Sequence, residues 1–265
     1  MPSPSPYFRE AGSGPGVVCL HSNASSSAQW RDLLDLLSPH HLVLAPDSYG
    51  SGKSPDWHAD RHIALRDEVD LIEPVLARAG TPFSLVGHSY GAAIALMVAL
   101  SNPGRVRALA VYEPTLFSLV DAQRPPPNGA DGIRNAVLAA AQALEAGDRD
   151  AAAAHFIDFW MGSGSWRATP PHRKPAIADS VANVRRWSHA LFTEQTPAHA
   201  FAALQMPILY MLGESSPESA HAVARVLLPV LPRVKVLAFP GLGHMAPITH
   251  PQAINAAIAA FLSEA

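Results

Sequence analysis

Short apolar runs alternate with longer amphipathic stretches along the first half of the chain. Val17–Leu20, Leu42–Ala45, Phe83–Val86 and Ala108–Tyr112 are brief, apolar-rich and bounded by turn formers. That is the pattern of strands buried on both faces. Between them, Ala28–Leu37 and Ile63–Ala79 read as helices, and Ala92–Leu100 is a strong helix former that stops at the Asn102-Pro103-Gly104 break. Strand–helix alternation of this kind predicts an α/β fold with a mainly parallel, doubly wound sheet. Tyr7–Arg9, ahead of the Gly-rich Ala11–Gly16, suggests one further antiparallel strand at the edge.

The rhythm then changes. From about Thr115 to Leu204 no buried strand is legible. Helical patterns at Ile133–Glu145, Ala151–Trp160 and Ala176–Phe192 follow a Pro-rich break at Pro125-Pro126-Pro127-Asn128-Gly129. The alternation resumes with a strand at Ile208–Leu212, a helix at Ala220–Leu231, a strand at Val234–Ala238 and a helix at Gln252–Leu262. The expected organisation is a core domain made of residues 1–114 and 205–265, interrupted by a helical insertion at 115–204.

Composition narrows the classes. The 265 residues suit one large α/β domain with an insertion, or two small domains. With 48% hydrophobic and 15% charged residues, a sizeable core is available. The net charge of −3 and the lack of a Lys/Arg run give no reason to expect nucleic acid as a partner. No apolar stretch reaches the length of a membrane span, so no membrane partner is expected either. Met1–Pro6 has neither a basic nor an apolar leader region. Cys19, alone in the chain, reads as a buried free thiol. That excludes an intrachain disulfide framework and agrees with a reducing, cytoplasmic location. The oligomeric state is not legible.

Candidate chemistry enters at Gly87-His88-Ser89-Tyr90-Gly91. The segment fits G-x-S-x-G, with a short apolar strand before it and a helix after it. Strand, sharp turn, serine, helix is the setting of a nucleophile elbow. On these residues the chain resembles the α/β-hydrolase family over nearly its whole length, and the 115–204 insertion resembles that family's helical cap. The resemblance implies a serine nucleophile at Ser89, followed in chain order by an acid and a histidine. His244, in the loop Phe239-Pro240-Gly241-Leu242-Gly243-His244-Met245 after the last predicted strand, resembles the catalytic base.

The acid departs from the commonest family pattern. The loop Gly213-Glu214-Ser215-Ser216-Pro217 carries Ser216 where the family usually carries an Asp. Some members, haloalkane dehalogenases among them, place the acid after the strand that follows the elbow helix. Here that strand ends at Glu113-Pro114. A carboxylate closing an apolar strand is costly to bury without a partner, and a histidine supplies one. Glu113 is therefore the expected acid, with Glu214 as its rival. The expected oxyanion donors are the backbone N–H groups of Tyr90, next to the nucleophile, and Asn23, in the loop after Val17–Leu20. Ser22 replaces the family's usual glycine beside Asn23 and is a candidate for the substrate pocket, as are Trp160 and Trp187 from the insertion.

Other readings fall away. Gly50-Ser51-Gly52-Lys53-Ser54 resembles part of a P-loop, but Asp47 stands where that pattern needs glycine. The segment fits a structural turn in which Asp47 bonds nearby backbone, just as His21 is expected to brace its own loop. No histidine pair has the acidic neighbours of a metal site, so neither a metal nor a cofactor is expected. The resemblance implies a serine hydrolase acting on a carboxylic ester or a related small acyl compound. Cleavage of a C–C bond in a diketone, or cofactor-free perhydrolysis, is open to the same residues. A ligand-binding protein on the same fold is the alternative of another class. Serine at 89 argues against dehalogenase and epoxide-hydrolase chemistry, which in this family use an Asp nucleophile.

Overall fold

A computed structural model describes residues 5–265. Most of the Met1–Pro6 segment read for a leader, Met1–Pro4, lies outside the described residues. Among the described residues, seven strands form one sheet: β1 (Phe8–Ala11), β2 (Gly16–Leu20), β3 (Leu42–Pro46), β4 (Phe83–His88), β5 (Val106–Tyr112), β6 (Ile208–Gly213) and β7 (Val234–Phe239). Their order is β1-β3-β2-β4-β5-β6-β7. Only β1 runs antiparallel, pairing Phe8 with Pro46 at the sheet edge. All other pairs are parallel, as the alternation of strands and helices requires.

Each face of the sheet is covered. Helices α1 (Arg31–Leu37) and, at the other end of the chain, α12 (Pro251–Glu264) share one apolar layer with inward residues of the sheet, including Val17, Val43, Val86 and Ala110. On the opposite face lie α2 (Leu65–Ala79), α3 (Tyr90–Ser101) and α10 (Glu218–Leu227). Helix α3 is apolar on every side and almost wholly buried, as a helix enclosed by sheet, neighbours and insertion must be.

The insertion is helical. It holds α4 (Phe117–Gln123), α5 (Asp131–Glu145), α6 (Arg149–Met161), α7 (Ser165–Ala168), α8 (Lys174–Val181) and α9 (Val184–Thr193). Its buried side chains, among them Phe156, Trp160 and Leu191, join the same apolar cluster as α2 and α3, so it packs onto that face. A last short helix, α11 (Ala246–Thr249), follows the His244 loop.

Several elements differ from the sequence expectation. Ala28–Leu37 is a 3-10 turn at Ser27–Trp30 running into α1, capped by Ser26, whose hydroxyl accepts from the Ala28 N–H at 3.3 Å. The expected helix Ala176–Phe192 is broken at Ala182-Asn183, and the Asn183 amide bonds the Gly50 carbonyl of the core at 3.3 Å. Helix α4 is too short to show a period in so irregular a block.

Candidate active site

Ser89 stands at the junction of β4 and α3, at the centre of the sheet. Its backbone sits at φ 56°, ψ −115°, a region that side chains avoid. Such strain is held by over-determined surroundings. The Ser89 N–H bonds the Tyr112 carbonyl of β5 at 2.9 Å, and the amides of Ala92 and Ala93 both donate to the Ser89 carbonyl. The flanking glycines are there for close approach. A Cβ on Gly87 would lie 2.6 Å from the Ala92 Cα, and one on Gly91 would lie 2.2 Å from the Leu20 carbonyl oxygen. Helix and strand could not meet this closely with any other residue there.

The structure brings Ser89, His244 and Glu113 together from three separate segments. His244 Nε2 lies 2.9 Å from Ser89 Oγ, and His244 Nδ1 lies 2.6 Å from Glu113 Oε2. All three are buried. The other carboxylate oxygen of Glu113 accepts from the Gly213 N–H at 2.7 Å and from the Ser216 hydroxyl at 2.6 Å. Glu113 also has a positive φ of 45°, which turns its side chain off the end of β5 toward the ring. Ser216, the residue at the usual acid position, thus serves as a donor to a carboxylate that comes from another strand. Glu214 is exposed and makes no bond to His244.

A second layer of histidines holds the loops. His88 Nε2 lies 2.8 Å from the His244 carbonyl, so it must carry the proton, and His88 Nδ1 accepts from Gln29 at 3.1 Å. Burial, and then the nearby His244, hold His88 well below the usual histidine range, so it stays neutral. His21 is also held neutral by burial. It accepts the Ser48 N–H at 3.1 Å and donates through Nδ1 to the Ser22 carbonyl at 2.7 Å. Asp47 takes the amides of Ser27 and Lys53, at 2.5 and 2.9 Å. Both residues brace their loops as the sequence suggested. Beneath Tyr90 lies Glu68, fully buried, taking the Tyr90 hydroxyl at 3.1 Å and the Tyr49 amide at 3.2 Å. Burial pushes this carboxyl up to about 8. Cys19 is buried, and that pushes its thiol well above the usual range, so it is no nucleophile.

The residues expected around the substrate separate into two groups. Tyr90 opens α3, and its own amide has no helical carbonyl behind it. Asn23 and Ser89 line the same cavity. Trp160 lines it too, and its indole stacks on the His244 imidazole with centroids 3.8 Å apart and planes 24° off parallel. Ser22 faces the open cleft beyond, but its hydroxyl is tied to the Gln29 side chain at 3.0 Å. Trp187 corrects the expectation: it packs on the Tyr90 ring at 6.3 Å, away from the cavity. Val184, Ser188 and Leu191 form the stripe of α9 that turns toward Ser89. Gln29 and Thr115 join the site without a sequence signal. Among the described residues, no group of three or more His, Cys, Asp or Glu could hold a metal ion, and no helix is long and apolar enough to cross a membrane.

Comparison with known proteins agrees with the fold. The family model described as alpha/beta hydrolase fold matches residues 15–251. The chain is 24% identical to an (E)-2-((N-methylformamido)methylene)succinate hydrolase of Acinetobacter baylyi, over 97% of this chain and 93% of that protein. It is 25% identical to a pimeloyl-[acyl-carrier protein] methyl ester esterase of Yersinia enterocolitica, over 97% of each. The match to a haloalkane dehalogenase of Agrobacterium fabrum is 37% identical but spans only 42% of this chain and 36% of the dehalogenase. Among solved structures, an alpha/beta hydrolase from Sphaerobacter thermophilus superposes with a TM-score of 0.70 at 27% identity, covering 94% of each chain.

Proposed function

Because the chain belongs to the α/β-hydrolase fold family and is a hydrolase, we propose that it is a serine hydrolase cleaving a carboxylic ester or a related small acyl compound. The observation that carries this reading is the unbroken hydrogen-bond chain from Ser89 through His244 to Glu113. A serine hydroxyl is a weak nucleophile until a base takes its proton. His244 Nε2 is within reach to do so. As Ser89 Oγ attacks the carbonyl carbon, His244 becomes an imidazolium, and Glu113 holds it through Nδ1–H. The N–H groups of Asn23 and Tyr90 take the oxyanion, helped by the N-terminus of α3. Collapse of the tetrahedral intermediate expels the leaving group, which receives the proton from Nε2. Water, activated by the same imidazole, then frees the acyl group and restores Ser89.

In this reading the 115–204 block is a lid over the site, and the chemistry draws on side chains and backbone alone. The partial dehalogenase match does not alter it, since the residue at the elbow is a serine. The test is turnover of a panel of aryl and alkyl esters, with ring-cleavage diketones alongside, for the wild type and for Ser89→Ala and His244→Ala. The expected result is ester hydrolysis with an initial burst of alcohol, lost in both variants. Hydrolysis that survives Ser89→Ala would overturn the reading.

A further inference from the structure

We propose that the site is divided. An apolar pocket takes the acyl group, with Thr115 hydrogen-bonding a polar substituent on it, and a wide cleft with charged walls takes the leaving group. The inference rests on the serine-hydrolase reading and adds a substrate class: esters of a compact, uncharged acyl group bearing a hydroxyl, oxo or amide substituent near its carbonyl.

Two cavities meet at Ser89. The first runs under the insertion and is walled by Phe117, Ile133, Val137, Leu191 and Phe192. None of its lining residues carries a titratable side chain. The second is a wide cleft between insertion and core, with Arg31, Asp32, Arg173 and Asp179 on its walls. Only this cleft is lined by His244. The leaving group must lie where His244 Nε2 can protonate it. That places the leaving group in the cleft and leaves the pocket for the acyl group.

Thr115 sets the chemistry of the pocket. It follows Glu113-Pro114, is 2% exposed, and its hydroxyl has no hydrogen-bond partner among the described residues. It lines the same pocket as Ser89. Asn23, which lines both cavities, likewise has a buried side-chain oxygen without a partner among the described residues. The hydroxyls of Ser51, Ser118 and Tyr210 are buried without a partner too, but of the four Thr115 alone lines a cavity with Ser89, where a polar substituent on the acyl group would supply one. A carboxylate there would be stripped of water with no cation to meet it, so charged acyl groups are rejected.

The experiment compares kcat/KM for three nitrophenyl esters with one leaving group: isobutyrate, 2-hydroxyisobutyrate and the methylmalonate half ester. They are run on the wild type, Thr115→Val and Thr115→Ser. The measure is the ratio of hydroxyacyl to plain acyl ester, and comparing that ratio between variants cancels the intrinsic reactivity of the esters. The expected result is a ratio that drops about tenfold in Thr115→Val, survives in Thr115→Ser, and is accompanied by at least roughly a hundredfold discrimination against the charged ester. An unchanged ratio in Thr115→Val, or ready hydrolysis of the charged ester, overturns the assignment. If a fluorophosphonate labels Ser89 but none of the three esters turns over, the substrate class fails and the serine-hydrolase reading stands. If neither labelling nor turnover occurs, both fail together.

Discussion

Replacing Glu113 with Gln keeps the shape of the side chain and changes one atom. The native carboxylate accepts three hydrogen bonds: from His244 Nδ1 at 2.6 Å, Gly213 N at 2.7 Å and Ser216 Oγ at 2.6 Å. A glutamine can keep its oxygen on the Gly213 and Ser216 side or turn it toward His244. Turning it strands the Gly213 amide, which cannot move, at about 1–3 kcal/mol. Keeping it sets an NH2 group against Nδ1–H. The imidazole then swaps its proton to Nε2, which faces the Ser89 hydroxyl at 2.9 Å and can no longer accept from it. The charge that steadies the imidazolium is lost as well. The same swap in a Ser-His-Asp site costs about 10⁴ in kcat. The expected loss here is roughly 10³- to 10⁴-fold in kcat/KM, or about 4–5.5 kcal/mol of transition-state stabilisation. The assay is steady-state hydrolysis of an activated ester, with a thermal melt to show that the variant folds. Glutamine tolerates the positive φ of residue 113 no worse than glutamate, so backbone strain does not confuse the result. A Glu113→Gln enzyme that keeps more than about a tenth of wild-type activity refutes the assignment of the acid.

Four further outcomes are expected. Ser216→Ala removes one donor from the Glu113 carboxylate and leaves Gly213 in place, so kcat should fall about tenfold while KM holds. Trp160→Leu removes the ring stacked on His244, and loss of that face for the imidazolium should lower kcat/KM by roughly three- to thirtyfold. Gly91→Ala drives a Cβ into the Leu20 carbonyl, and denaturant unfolding should show a loss of about 2–3 kcal/mol or more. Glu68 carries a pH signature. Its carboxyl is raised from 4.5 to about 8 in the fold, so the native state binds the proton that the unfolded chain releases. The stability this contributes is full below pH 4.5 and is lost progressively as pH rises to about 8, on the order of a few kcal/mol in all. Denaturant melts of Glu68→Gln against wild type should diverge in the variant's favour across that window. Parallel stability curves would contradict the argument.

What could be read in advance was local or followed from a buried cost. The elbow shows itself because its glycines, serine, strand and helix are contiguous. Glu113 was legible because an apolar strand ending in a carboxylate demands a partner, and the structure sets His244 beside it. The doubly wound sheet followed from the alternation of strands and helices. The pocket did not. Trp187 and Trp160 are alike in sequence, yet one packs on Tyr90 and the other stacks on His244. Which way each points depends on how α6 and α9 seat on the core, and the break at Ala182-Asn183 that sets the seating of α9 shows no Gly or Pro. Thr115 and Gln29 gain their roles from neighbours far along the chain. Ser216 is the instructive residue. Absence of an acid at that position looked like a gap in the site, whereas its hydroxyl instead buttresses Glu113.

The central claim is that Ser89 is a nucleophile primed by His244. The most direct measurement is intact mass after exposure to a small fluorophosphonate, followed by peptide mapping. One adduct per chain, located on Ser89 and absent in Ser89→Ala and His244→Ala, is the predicted result. No adduct, or an adduct elsewhere with Ser89 unmodified, would contradict the account.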